Sequence, residues 1–286
     1  MNPGELIRAA LAEDIGSGDV TSCLTIPEKL RTEGTIVCHA PGVLAGIDIC
    51  RKVFRTLDKS IRFKPMKLDG SRVRQGTRAA ILSGPARSIL TAERTALNFL
   101  CRLSGIATLT ARFVREVKGT GTRILDTRKT TPGWRALEKY AVRCGGGRNH
   151  RKGLYDMVLI KDNHIAAAGS VRAALARCRN RRLDVEVEVK TMAELREALD
   201  AGARLIMLDN MDLGRMRRAV KLARGKAKLE ASGGMNLARV RSVARTGVDY
   251  ISVGALTHSA PALDISLELT TARSLDRQTT RPLLRF

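Results

Sequence analysis

The chain has 286 residues, 44% hydrophobic and 28% charged, the balance of a folded globular protein rather than a disordered one. Lys and Arg number 51 against 28 Asp and Glu, a formal charge of +23, so the expected partners are anions: nucleic acid, an acidic membrane surface or a polyanionic small molecule. Aromatic residues at 3% argue against single-strand binding by base stacking, and the longest apolar run, Val43–Cys50, is broken by Asp48, far short of a membrane span.

The first residues carry Glu5, Glu13 and Asp14 without the cationic-then-apolar order of a secretory leader. A short helix is expected over Leu6–Leu11 and a turn at Gly16, Gly18 and Asp19. Glu33–Ala40 alternates as a strand does, and Val43–Leu57 has helical spacing. Ile61–Leu68 and Arg78–Leu82 are further expected strands, around turns at Asp69-Gly70 and Gln75-Gly76. From Ala86 to about Lys118 the apolar spacing predicts a long helix with an interruption near Gly105. Six cysteines (Cys23, Cys38, Cys50, Cys101, Cys144, Cys178) include no Cys-x-x-Cys pair, which fits reduced thiols in a cytoplasm better than disulfides or a zinc site.

Beyond Gly121 the pattern becomes a repeating unit. Apolar strands are expected at Ile124–Asp126, Met157–Ile160, Val185–Val189, Leu205–Leu208, Lys228–Ala231 and Tyr250–Val253. Helices are expected between them at Val171–Cys178, Met192–Ala201, Leu213–Ala223 and Leu237–Thr246. Strand–helix alternation implies parallel strands, in a (β/α) barrel or an open sheet. The barrel is favoured because every strand ends in polar groups: Thr127-Arg128-Lys129, Lys161-Asp162-Asn163, Glu188 with Lys190, Asp209-Asn210, Ser232-Gly233-Gly234 and Gly254. In Val185–Lys190 the alternation turns valines to the helices and two carboxylates with one ammonium inward.

Among these, Arg128 and Arg151 offer forked donors suited to carboxylate or phosphate, and Lys129 and Lys161 add compact charges. The glycines 145–147 deliver Arg148, His150 and Arg151 within a few residues. His150 is weighed as a site residue, His164 is left open, and His39 and His258 are expected to be structural. Ser232-Gly233-Gly234, and Val253-Gly254-Ala255 one unit later, suit phosphate nests of backbone amides. Glu188 and Asp209, at successive strand ends, could hold magnesium through water or stabilise developing positive charge. No Gly-x-Ser-x-Gly elbow supports a serine hydrolase.

At these residues the chain resembles the quinolinate phosphoribosyltransferases, the decarboxylating nicotinate-nucleotide pyrophosphorylases of NAD synthesis. The resemblance runs over nearly the whole chain, through Glu13–Thr21, Gly42–Gly46, Glu93–Leu100, Ser104–Thr108, Asp126–Gly133, Arg135–Gly147, Asn149–Arg151, Lys161–His164, Glu186–Val189, Leu208–Asn210 and Gly254–His258. It implies an incomplete, TIM-like α/β barrel over residues 106–264 and a smaller N-terminal α/β sandwich domain over 1–105, completed by the tail 265–286. It also implies a phosphoribosyl transfer from phosphoribosyl pyrophosphate (PRPP) to quinolinate in a cytoplasmic homodimer, or a hexamer of three dimers, with Mg2+ as cofactor. Arg94 matches an arginine lent across the dimer interface. Arg128, Lys129, His150, Arg151 and Lys161, with Thr127, match the quinolinate pocket. Glu188 and Asp209 match the PRPP and magnesium end, and Ser232, Gly233, Gly234, Val253, Gly254 and Ala255 match the 5′-phosphate loops. Glu188, Asp209, Lys129 and Lys161 are the expected catalytic residues, with metal contact by Glu188 and Asp209 indirect, through PRPP and water. Two alternatives stand beside this reading: a paralogue on the same fold with another acceptor, and a basic nucleic-acid-binding protein. The arginines of the tail, Arg273, Arg277, Arg281 and Arg285, receive no account from either.

Overall fold

The computed structural model describes residues 2–178 and 182–270, so the four tail arginines lie outside the described residues. In chain order the first elements are α1 (Pro3–Ile15), α2 (Val20–Thr25), β1 (Arg31–Cys38), β2 (Gly42–Val43), α3 (Ile47–Leu57), β3 (Arg62–Pro65), β4 (Arg72–Val73), β5 (Thr77–Pro85) and α4 (Ala86–Glu116). Then come β6 (Arg123–Leu125), α5 (Arg135–Cys144), β7 (Val158–Ile160), α6 (Asp162–Ala168), α7 (Val171–Arg177), β8 (Val185–Val189) and α8 (Met192–Asp200). The last are β9 (Leu205–Asp209), α9 (Leu213–Ala223), β10 (Lys228–Ser232), α10 (Leu237–Ala244), β11 (Tyr250–Ser252), α11 (Ala255–His258) and β12 (Ile265–Leu269). Two compact units result, one of residues up to Thr108 and from Pro261 onward, the other Leu109–Ala260. The divisions thus fall after Thr108 and Ala260, where the sequence set them after Gly105 and Asp264.

In the first unit β12, β1, β5 and β3 form an antiparallel sheet, in that order, while β2 and β4 form a two-stranded ribbon. Residues of the tail expectation therefore enter this sheet through β12, paired with β1 from Gly34–Leu269 to Cys38–Ile265. The helix expected from Val43 begins only at Ile47. Gly42 and Val43 pair with β4, and Gly46 turns the chain at φ +96, a conformation that costs glycine little. Helix α2 was missed, being too short for a periodicity; Asp19 caps it by accepting the Ser22 N–H.

The interruption expected at Gly105 does not occur, and α4 runs unbroken for 31 residues. A Cβ at Gly105 would stand 2.0 Å from the Pro261 carbonyl oxygen, so glycine serves close backbone approach there. All six cysteines are free thiols; Cys38 and Cys50 are buried, and burial pushes the Cys38 thiol up to about 11.

The second unit holds a six-stranded parallel sheet ordered β6-β11-β10-β9-β8-β7. Each strand from β7 to β11 lies beside its successor, and β11 pairs with β6. The strands thus complete a circuit except between β6 and β7, the arrangement of an incomplete barrel. A single parallel bridge, Leu125 with Arg148, continues the β6 edge toward that opening. Helices α8, α9 and α10 are capped by Thr191, Asp212 and Asn236, whose side chains accept N–H bonds from the first turn. Their apolar faces, such as Met216, Ala219 and Ala223 of α9, are buried. No helix among the described residues is long and apolar enough to cross a membrane.

Candidate functional site

Paired residues in parallel strands share a face, and alternate residues face opposite ways. The register puts Glu188 with Met207, Met207 with Glu230, and Ser232 with Asp209. Glu186, Glu188, Asp209, Glu230 and Ser232 therefore share one face, while Val187, on the opposite face, is wholly buried. Barrel interiors are ordinarily filled by branched apolar residues. This interior carries ionisable groups instead, which marks it as chemical rather than purely structural.

At the carboxyl ends the predicted residues meet in pairs. Lys161 Nζ lies 2.8 Å from Glu188 Oε2, and Lys190 Nζ lies 2.6 Å from Asp162 Oδ2. The Asp162 bond holds the Lys190 ammonium above its usual pKa, with further help from the charges of Asp209 and Glu188. The Lys129 side chain packs over Gly254, whose added Cβ would meet Lys129 Cδ at 3.1 Å, and the Lys129 carbonyl accepts the Thr257 hydroxyl. The Thr127 hydroxyl accepts the Lys129 N–H and shapes this turn.

Burial, and then the like charge of Arg128, hold the Arg151 guanidinium below its usual pKa range. Arg151 donates to the Met157 carbonyl at 3.3 Å, and the buried Nε of Arg128 has no acceptor. Neither arginine forms an ion pair with a carboxylate among the described residues. The charges of Asp156 and Glu186 offset part of the effect on Arg151.

The segment bearing Arg151 is clamped by residues the sequence reading gave no role. Buried Asp126 pairs with Lys139, accepts from the Asn149 side chain and accepts the His150 N–H, while Lys139 also donates to the His150 carbonyl. Burial raises the Asp126 pKa and lowers that of Lys139, each opposed by the partner's charge. Only their adjacency in the fold reveals them, since 13 positions separate the two in sequence.

His150 departs from the expected role of substrate ligand. Its Nδ1 accepts the Arg151 N–H at 2.7 Å, and its Nε2 lies 2.9 Å from Glu186 Oε2 and 3.6 Å from Glu230 Oε2. Two influences oppose each other. Burial disfavours the imidazolium, yet the Glu186 bond and the charges of Glu230 and Glu186 outweigh it and raise the pKa. The Arg151 N–H, however, needs a lone pair on Nδ1, which an imidazolium lacks. That bond selects the neutral ring with its proton on Nε2, so both nitrogens are spent within the protein. Of the other histidines, His39 bonds Ser266 and His258 bonds Ser259, while His164 Nδ1 accepts the Lys161 N–H.

The two glycine loops differ in what they offer. Gly233 and Gly234 take φ of +93 and +58, and no acceptor within the described residues takes their N–H groups. The same holds for Gly254 and Ala255. Val253 is a correction: its N–H donates to the Leu125 carbonyl and its side chain is buried, so it is committed to the sheet. Asn210, named from the sequence only as a polar strand-end residue, is the only non-glycine residue with positive φ among those described, and its side chain fills the space above Gly233. Sequence reading missed Arg239; it ties the Gly233 and Met211 carbonyls together.

A cavity of about 1370 Å³ lies at the amino ends of the strands, lined there by Val185, Leu205, Lys228 and Tyr250 and reaching His150, Arg151 and Glu230. Its size does not make it the reactive face. Lys161 and Lys190 with their carboxylate partners, Asp209 and the unused amides collect at the carboxyl ends, where barrels carry their chemistry. Arg94 belongs to α4 in the other unit.

Fold and strand-end chemistry together define an open α/β-barrel protein of the anion-binding class. The patterns of the quinolinate phosphoribosyl transferase N-terminal and C-terminal domains match residues 19–104 and 106–268. The chain belongs to the quinolinate phosphoribosyltransferase family. It is 46% identical over 269 residues to a probable nicotinate-nucleotide pyrophosphorylase (carboxylating) of Bacillus subtilis, covering 93% of each chain. Among solved structures, NadC from Streptococcus pyogenes is 40% identical with a TM-score of 0.91, over 94% of this chain and 98% of that one. The nicotinate-nucleotide pyrophosphorylase of Francisella tularensis is 44% identical with a TM-score of 0.91, over 94% and 96%.

Proposed function

We propose that this chain transfers phosphoribosyl from PRPP to quinolinate with decarboxylation, giving nicotinate mononucleotide, pyrophosphate and carbon dioxide in NAD synthesis. The observation that carries this reading is the set of strand-end groups on one face of the sheet, Lys161 paired with Glu188 and Asp209 on the next strand, together with the buried Arg128 Nε that has no acceptor, in a chain of this family. A pyridine dicarboxylate supplies that acceptor to Arg128 and further counter-charge to Arg151. Lys129 and Lys161, beside Thr127, add cations to the same pocket, and Arg94 completes it from a second protomer of a cytoplasmic dimer, or of a hexamer built from three dimers. The free amides of Gly233, Gly234, Gly254 and Ala255, with the Ser232 hydroxyl, receive the 5′-phosphate.

The donor set also fits magnesium at second hand. Glu188 and Asp209 are hard oxygen ligands, but Lys161 occupies one Glu188 oxygen, so contact through water and pyrophosphate suits them better than direct ligation. When bound, the ion supplies charge neutralisation for the departing pyrophosphate. The chain's own part is positioning and electrostatics. The arginines hold the pyridine nitrogen in line with C1 of the ribose, and the two carboxylates stabilise the positive charge that develops there as the leaving group departs. Once that nitrogen is quaternary, the ring accepts the electron pair of the adjacent carbon–carboxylate bond. Carbon dioxide leaves, the ring carbon takes a proton, and the lysines keep the remaining carboxylate in place.

Incubation with quinolinate, PRPP and magnesium, following carbon dioxide and mononucleotide together, tests this. Equal yields of both are expected. Formation of neither, by folded protein, would overturn it.

A further inference from the structure

The middle of the barrel interior presents an unexplained choice of residues. Glu186 is wholly buried, Glu230 is 1% exposed, and the His150 side chain is 7% exposed, all within one cluster. Packing alone would be served by valine, isoleucine or leucine there, and burying carboxyl groups is costly. What distinguishes the cluster is its direction. Glu186 receives Nε2–H of His150, the opposite ring nitrogen receives the Arg151 N–H, and Arg151 is one of the two arginines read as the dicarboxylate pocket. Asp126 and Lys139 fix the His150 backbone from the other side.

We propose that Glu186 is a positioning residue for the anion site: acting through the His150 ring, it sets the Arg151 backbone and so the placement of the Arg151 guanidinium. This rests on the reading of that arginine pair as the dicarboxylate pocket. The polarity of the chain follows from its two ends together: the Arg151 N–H donates to Nδ1, which needs a lone pair there, and the neutral ring protonated on Nε2 is the form that also donates to the Glu186 carboxylate. Without the carboxylate, Nε2–H keeps only Glu230 Oε2, at 3.6 Å, and both the tautomer and the ring orientation are held less firmly. A ring that turns or takes the other tautomer withdraws the acceptor from the Arg151 N–H, and the loop shifts. A shift of this kind changes the fit of a rigid dicarboxylate and leaves the glycine loops on β10 and β11 untouched.

The test compares wild type with Glu186→Leu and Glu186→Gln by steady-state kinetics, and follows the His150 ring nitrogens by NMR of 15N-histidine protein. The four histidines are few enough to assign with His150→Gln. In Glu186→Leu the quinolinate KM should rise about tenfold or more while the PRPP KM stays within about twofold. Glu186→Gln, whose amide oxygen still accepts from Nε2–H, should recover most of that loss. The wild-type spectrum should show a neutral ring protonated on Nε2, and Glu186→Leu should lose that signature. An unchanged quinolinate KM in folded Glu186→Leu, an equal rise in both KM values, or a wild-type ring protonated on Nδ1 would each overturn the proposal. Should wild type turn over no quinolinate, the functional reading fails, and the ring spectra still decide the Glu186–His150–Arg151 relay.

Discussion

Lys161 and Glu188 join the carboxyl ends of β7 and β8 through a 2.8 Å ion pair, with the lysine side chain 46% exposed and the glutamate 10%. A pair so open to water contributes little to stability, on the order of 0–1 kcal/mol. Its place among the strand-end groups of a family enzyme points to a role in binding and charge stabilisation instead. Glu188→Ala and Asp209→Ala are therefore expected to lose about 100-fold or more in kcat while unfolding near the wild-type denaturant midpoint. Near-normal turnover in both would remove these carboxylates from the mechanism.

Arg94 offers a test of assembly. If it completes the pocket of a partner protomer, mixing an Arg94→Ala chain with a Lys161→Ala chain should restore activity that neither shows alone, because a mixed dimer contains one site with both residues intact. Verified mixed dimers without such recovery would count against a shared site.

Gly233 is under two constraints, a φ of +93 and an Asn210 Oδ1 that would stand 2.1 Å from an added Cβ. Gly233→Ala should distort the amide loop and raise the PRPP KM well beyond any change in the quinolinate KM. Parallel changes in both would mean that the loop serves the whole barrel mouth.

Gly105→Ala probes the first unit. The added Cβ would meet the Pro261 carbonyl oxygen at 2.0 Å, and backbone cannot rotate aside as a side chain can. A loss of about 1–3 kcal/mol in unfolding free energy is expected, despite alanine's better helix propensity. Stabilisation by the substitution would refute the close approach.

Glu230 should make stability depend on pH. Burial, then the charge of Glu186, push its carboxyl up to about 8 from an ordinary 4.5. The native state therefore holds a proton that the unfolded chain releases from about pH 4.5 upward, so this group's contribution is fullest below that value and is lost as pH rises through about 8. Denaturant midpoints measured between pH 6 and 9 should fall more steeply for wild type than for Glu230→Gln. Identical slopes would show that Glu230 titrates normally.

The sequence by itself determined the class of fold and which polar residues stand at the strand ends. The six apolar runs from Ile124 to Val253 all lie on observed strands to within a residue or two, and α9 spans the expected Leu213–Ala223, because apolar periodicity is a local property that burial on one face enforces. Lys161, Glu188 and Asp209 were legible as strand-end residues for the same reason, the first just after β7 and the others at the carboxyl ends of β8 and β9. The tertiary structure alone decided what depends on partners distant in the chain. Gly105 signalled a break by its propensity, but Pro261, far away in sequence, made it a contact within an unbroken helix. The Val253 amide was assigned to phosphate until the β6 edge claimed it. His150 carried the residue type of a substrate ligand, and only the positions of Glu186 and the Arg151 N–H showed both nitrogens already in use. Hydrogen-bond capacity is finite, and which neighbour consumes it is settled by folding rather than by spacing along the chain.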